Sequence, residues 1–461
     1  MKSWIRSILL LLIVLSLCAC GNSQKTAGTD PKPNGLQVGF SKVNVTPGYS
    51  VGLSGYSNAE VRKSEGFLDY IYTTCIAMSE EEETILLYTV DTIAMTHNEA
   101  EFFRGQISQA TGIPGEKIFF GATHAHSCPE KSGQYKQDIA MWMVEAAQNA
   151  LKDRSPAKTQ ATTVLIDGMN FVRHYVMEDG SYAGSNFGDF SKKIAGHAAE
   201  SDRQMVLVKF ARGNGKKDVV LVNFQAHPDH STMLGFYQIA ADFVGPLRDE
   251  LEKLSGASVA YFTGASGNQN PISKIPEENH GLNWREYGAK LGQLANEALS
   301  GLQSTEGGIK TCRRMVSVQI DHSWDHMLSQ ADEVYDLWKS VDDKAAMEVG
   351  KNYDFTSVFQ ARAIRERAAM GMSAELELNA FSVGGVGFTT GTYEMFCEQG
   401  TFIKENSPFP ITFVITGNSG YIPSDAAFNY RCYEADTGFY ARGTAELLAD
   451  NYLEMLQKIT N

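Results

Sequence analysis

Twice in this chain a short apolar run with β character ends directly on histidines. Lys117–Ala122 (KIFFGA) passes into Thr123-His124-Ala125-His126, and Asp218–Ala226 (DVVLVNFQA) passes into His227-Pro228-Asp229-His230. Runs that are apolar at successive positions read as buried strands, so the chain is constrained towards covered sheets. In a strand, residues i and i+2 face the same side, so His124 and His126 project together from a strand end. Neutral imidazole is a good zinc ligand, and two such rings are a common beginning of a metal site. The same pair is also consistent with hydrogen-bonded core or edge histidines, and His227 with a satisfied core histidine; His230 reads as a loop residue.

Strand-like and helical runs alternate along the rest of the chain. Strands are expected at Leu36–Val45, Ile71–Met78, Thr84–Thr92, Gln160–Ile166, Met205–Phe210, Val259–Thr263, Thr311–Ile320, Glu375–Val383, Val386–Thr389 and Thr412–Ile415. Helices are expected at His97–Thr111, Gln137–Leu151, Phe243–Leu254, Trp284–Leu302, Ser329–Lys339, Ser357–Ala369, Glu394–Lys404 and Thr444–Gln457. The fold class is therefore α/β, with layered mixed sheets flanked by helices in one large domain from residue 36 to 461. The helical stretch 323–372 reads as an insertion or subdomain.

The N-terminus has a different character. Lys2 and Arg6 precede an apolar run from Ile8 to Leu17, followed by Cys18-Ala19-Cys20. The run is shorter than the roughly 20 residues that span a bilayer. It reads as a bacterial lipoprotein signal, residues 1–19, with Cys20 as the lipidated residue and residues 20–35 as a polar tether. The expected location is the cell envelope, extracytoplasmic and lipid-anchored to a membrane. Loss of residues 1–19 leaves 38 basic against 54 acidic residues, a net charge of −16. That balance, without a basic stripe, excludes nucleic acid as a partner.

Of seven cysteines, Cys18 and Cys20 belong to the signal. Cys75, Cys128, Cys312, Cys397 and Cys432 show no disulfide spacing and read as small buried residues, with a thiolate metal ligand as the alternative. Two later segments offer oxygen ligands: Phe388–Phe396 (FTTGTYEMF), with Glu394 expected at a helix start, and 418–424 (NSGYIPS), with Tyr421 in a loop. Gly48-Tyr49-Ser50-Val51-Gly52 matches the G-x-S-x-G pattern of a serine nucleophile, which needs a strand before it and a helix after it. Here a strand precedes, but the stretch after it, LSGYSNAE, is a poor helix.

Taken in order, the segments VGFSKVNVTPGYSVGLSGY, GATHAHSCPE, GMNFVRHY, NFQAHPDHS, ADFVGPLRDELE, YFTGASGNQNP, FTTGTYEMF, NSGYIPS and CYEAD resemble the catalytic domain of the neutral/alkaline non-lysosomal ceramidases. Each is short; their shared order over some 400 residues, from about Gly39 to Tyr440, carries the resemblance. It implies a Zn(2+) site of His124, His227, Glu394 and Tyr421. It also implies that His126, Arg173 and Tyr433 contact the substrate or support the ligands. Where the family has a Gly-Asp-x-Ser-Pro loop, this chain has Gly267-Asn268-Gln269-Asn270-Pro271. Asn270 cannot act as a hydroxyl nucleophile, but it can donate hydrogen bonds to a carbonyl or amide. Cys128 stands where glycine is usual. A single helix is expected after Tyr440, so the immunoglobulin-like domain of larger ceramidases is not expected. The implied function is zinc-dependent hydrolysis of an amide in a small lipid or acyl-amide substrate. The alternatives are a metal-containing surface lipoprotein that only binds a ligand, and a serine hydrolase using Ser50.

Overall fold

The computed structural model describes residues 35–56, 61–233, 235–340, 343–417 and 419–460. The expected signal, Cys20 and nearly all of the tether lie outside the described residues. Among those described, no helix is long and apolar enough to cross a membrane.

The architecture is mixed α/β with layered sheets. A nine-stranded sheet falls into two halves. One half runs Gln37–Asn44, Tyr72–Glu80, Glu83–Val90, Ile118–Ala122. The other runs Ser155–Leu165, Gln204–Arg212, Val219–Phe224, Ser258–Thr263, with the short Gln303–Thr305 also paired to Ser155–Leu165. Only Gln37↔Pro156 and Val38↔Ser155 join the halves, so they can turn away from each other. A separate four-stranded sheet runs Lys310–Gln319, Ser373–Val383, Val386–Gly391, Thr412–Thr416.

Each sheet section carries helices on one face. Helices His97–Thr111 and Gly133–Lys152 cover the first half through Phe103, Ile107, Ile139 and Met143. Val244–Ser255 and Trp284–Ala298 cover the second through Leu247, Leu251, Tyr287 and Leu291. Cys397–Asn406 and Thr444–Thr460 cover the four-stranded sheet. The opposite faces of all three sections meet in one apolar cluster that includes Val38, Leu87, Phe119, Val208, Leu221, Phe262, Phe381, Phe388 and Phe413. Within it Phe119 stacks on Phe381 at 4.5 Å and Phe381 on Phe388 at 4.7 Å. Strands covered on both faces explain why Val219–Phe224 is buried at every position and carries no polar alternation.

Each section also contains one parallel pair: Glu83–Val90 with Ile118–Ala122, Val219–Phe224 with Ser258–Thr263, and Val386–Gly391 with Thr412–Thr416. Their carboxyl ends are tied together across the core. Thr263 Oγ1 donates to the Thr123 carbonyl at 2.7 Å, Asn223 Nδ2 to the Val414 carbonyl at 2.8 Å, and Thr416 Oγ1 to the Gly264 carbonyl at 3.0 Å. Gly121 permits the approach, since a Cβ there would lie 2.6 Å from Ile415 and 3.2 Å from Phe262. Ligands in layered α/β folds bind outside the carboxyl ends of strands, and here three such ends converge.

Helices Leu328–Ser340, Asp343–Lys351 and Val358–Ala368 lie between two antiparallel neighbours of the four-stranded sheet and form their own core around Ala331, Val334, Phe355, Ala361 and Ile364. One local expectation fails. Glu394 does not start a helix: it lies in a two-residue parallel bridge, Glu394↔Tyr421 and Met395↔Ile422, and the helix begins at Cys397. Pairing with Tyr421 holds Glu394 in extended backbone, which the apolar run after it did not signal.

Candidate metal centre

His124 leaves its strand with a left-handed φ of +65°, rare for a residue with a side chain. The turn is held by its own N–H, which donates to the Thr92 carbonyl at 3.0 Å. His124 Nδ1 lies 2.7 Å from the Ile93 carbonyl, and His227 Nδ1 lies 3.3 Å from the Ser266 carbonyl. A carbonyl only accepts, so each ring, in the neutral form a metal requires, carries its proton on Nδ1 and turns a bare Nε2 inward. Those two Nε2 atoms are 2.9 Å apart, and His126 Nε2 is 3.3 Å from that of His124. The buried Oε1 of Glu394 lies 3.3 Å from His124 Nε2 and 3.7 Å from His227 Nε2, and it accepts no hydrogen bond.

With the rings in that form, lone pairs and the Glu394 carboxylate oxygen face each other at a largely buried site. Their mutual repulsion is relieved by a cation among them. His124, His126 and His227 each offer a ring nitrogen within 4.8 Å of the others, and burial pushes His126 and His227 well below the ordinary histidine range, favouring the neutral ring a metal requires. The donor set of imidazoles and one carboxylate suits zinc.

Tyr421 stands beside Glu394 through the parallel bridge, and its hydroxyl accepts from Arg173 Nη2 at 3.2 Å. Arg173 is itself fully enclosed. Burial alone lowers its affinity for a proton, but the Glu434 carboxylate and Tyr421 outweigh this and hold it firmly charged. Its Nε donates to Glu434 Oε1 at 2.7 Å, and its Nη1 to Asn270 Oδ1 at 3.3 Å. The second contact fixes which end of the Asn270 amide is oxygen. Tyr433 packs with its ring centroid 5.9 Å from that of Tyr421, and burial, then the Glu434 charge, push its phenol up to about 12.

The structure therefore brings His124, His126, His227 and Glu394 together, with Tyr421, Arg173, Asn270 and Tyr433 on one side of them. Several partners went unread in the sequence. Glu434 and His174 each sit one residue from a named position, and His174 Nε2 is 2.7 Å from Glu434 Oε2. Asn268 accepts from the Cys397 N–H at 2.9 Å and donates to Glu398 at 2.8 Å, so it braces the loop against the helix that begins just after Glu394. Tyr56 meets His126 edge-on at 5.3 Å. Cys128, Cys397 and Cys432 are buried free thiols; Cys432 lies beside His174 and Glu434. Ser50 is exposed, donates to the Ser64 carbonyl at 2.7 Å, and is followed by no helix among the described residues up to 56.

Gly55 has a left-handed φ of +100°, and a Cβ there would lie 2.7 Å from His126 Cα and 2.9 Å from its Cγ. Gly55→Ala is expected to push His126 aside while leaving His124 and His227 in place. Displacements near 1 Å cost about 10²-fold in rate. The variant should retain metal and lose activity on that scale; unchanged kcat/KM would remove His126 from the working site.

No protein-family model and no curated protein sequence matches the chain. Among solved structures, neutral ceramidase from Pseudomonas aeruginosa aligns with a TM-score of 0.69 over 93% of this chain and 75% of that one, at 15% identity. A ceramidase complexed with C2 aligns with the same TM-score of 0.69 at 15% identity, over 93% of this chain and 76% of that one. The chain thus has a neutral-ceramidase-like fold, at a low identity that marks it as divergent.

Proposed function

We propose that this protein is a zinc-dependent hydrolase of an amide bond, acting on N-acylsphingosine or another N-acyl lipid. We further propose that it is extracytoplasmic and anchored to a membrane by lipid on Cys20. The observation that carries the reading is the convergence of bare imidazole nitrogens and the unpartnered Glu394 oxygen at the joined strand ends, on a ceramidase-like fold.

His124, His227, Glu394 and Tyr421 are the proposed ligands. A divalent cation bound there supplies Lewis acidity and lowers the pKa of water towards neutrality. Around it the chain's own groups act on the substrate. His126, neutral and partly exposed, orients the scissile carbonyl or its attacking water. Arg173 holds the Tyr421 hydroxyl and, with Tyr433 and the Asn270 amide, stabilises charge developing on the carbonyl oxygen. Hydrolysis consumes one water: its oxygen joins the acyl carbon, the C–N bond breaks, and the products are a carboxylate and a protonated amine. No step requires a hydroxyl at position 270.

The exposed Ser50, hydrogen-bonded to a backbone carbonyl, argues against a serine hydrolase. Ser50→Ala should keep full hydrolysis of N-acylsphingosine, and chelation should abolish it, with recovery on adding zinc. Activity that survives chelation and disappears in Ser50→Ala would reverse the assignment. Metal retained without turnover of any N-acyl compound would favour a ligand-binding role.

A further inference from the structure

From Tyr421, which pairs with Glu394, a row of aromatic rings leads to the helices of residues 328–368. Beyond Tyr421 and Tyr433, the row continues to Phe187, 5.4 Å from Tyr433, and to Phe359, 6.2 Å from Tyr433 and 5.9 Å from Phe187. Trp338 closes it edge-on to Phe359 at 5.5 Å. Phe359 and Trp338 belong to insertion helices Val358–Ala368 and Leu328–Ser340. Phe187 is 54% exposed and has a left-handed φ of +60°, so an apolar ring is held open in a backbone state that disfavours it.

Arg362, on the same helix as Phe359, places its guanidinium 5.6 Å from the Phe359 ring centroid. The other arginines of this helix are committed: Arg365 to Asp332, and Arg367 to the Gly438 carbonyl at 2.8 Å and Asp321 at 3.3 Å. Among the described residues Arg362 makes no such bond, only an ion pair one turn along its own helix. Its nearest carboxylate, Glu366, is 3.6 Å from Nε, and that nitrogen is buried without a hydrogen-bond partner. Its charge also reaches the Tyr433 phenol.

On the reading that this site hydrolyses amides, we propose that the Phe187–Phe359–Tyr433 wall is a substrate subsite and that Arg362 selects a carboxylate on the substrate beyond the scissile amide. The favoured substrate class is then the N-acyl amino acids, ahead of neutral N-acyl amino alcohols. A planar guanidinium backed by an aromatic face, and held only by a half-exposed i,i+4 ion pair with Glu366, suits a carboxylate and gives a hydroxyl much less.

N-lauroylglycine and N-lauroylethanolamine share chain and amide and differ in this one group. For the zinc-loaded protein, kcat/KM should favour the glycine conjugate by about tenfold or more, the scale of a charge-assisted hydrogen bond. The preference should fall towards unity in Arg362→Gln and return in part in Arg362→Lys. Equilibrium binding of the same two compounds, measured by calorimetry, tests the subsite independently of turnover. Equal handling of both compounds in both assays, or a preference that Arg362→Gln leaves unmoved, overturns the subsite. A binding preference that depends on Arg362, with no hydrolysis of any amide, supports the subsite and overturns the hydrolase reading alone.

Discussion

The double variant His124→Ala/His227→Ala should bind no zinc and lose hydrolysis by on the order of 10³-fold or more. Metal polarisation of a carbonyl stabilises the transition state by several kcal/mol, and each 1.4 kcal/mol or so is a factor of ten. The fold should survive. Both rings meet in an electrostatically unfavourable contact, Nε2 to Nε2 at 2.9 Å, and removing them relieves it. The measurement is metal content and N-acylsphingosine hydrolysis, with circular dichroism as the folding control. Full activity in a folded, metal-free double variant would contradict the proposed role of the cluster.

The second large effect concerns Glu434, which holds both Arg173 and His174 from a fully buried position. Burial pushes its carboxyl upward, but Arg173 and His174 prevail and hold it at about 2, against the ordinary 4.5. Glu434→Gln leaves a buried guanidinium without its counter-charge. Breaking such a pair costs about 3–5 kcal/mol. Arg173 also loses the anchor that aims it at Tyr421 and Asn270, so activity should fall by about 10²-fold. The pH dependence separates this from a packing defect. A folded-state pKa below the unfolded one stabilises in full above about 4.5 and fades as pH falls from 4.5 towards 2. Urea unfolding should therefore show wild-type stability dropping more steeply than that of the variant across that window. Parallel curves would mean that the carboxylate charge contributes nothing.

Much of this was legible in the sequence because the strands are covered on both faces. IFFGA and DVVLVNFQA announce themselves as buried strands, and the histidines fall where each leaves the sheet. The helix His97–Thr111 was equally clear, with the capping box of Thr96 and Glu99 at one end and Gly112 at the other. Elements of only two to four residues were not legible. The strands His174–Met177, Tyr182–Gly184 and Ile194–His197, and the bridge of Gln269 and Asn270 with Val172 and Phe171, have no local pattern long enough to detect. The same limit hid Glu394, which a two-residue pairing with Tyr421–Ile422 keeps out of the helix. Glu434 was hidden for a different reason. In sequence it is an acid at the start of a short helix, and only the fold brings Arg173, 261 residues away, into its reach.

The most direct test is the metal content of the protein comprising residues 21–461, purified without chelator and analysed by plasma mass spectrometry. About one zinc per chain is expected, held by a site of one carboxylate, one phenol and two imidazoles. A wild-type protein that is folded, active on N-acylsphingosine and free of any stoichiometric metal would contradict it.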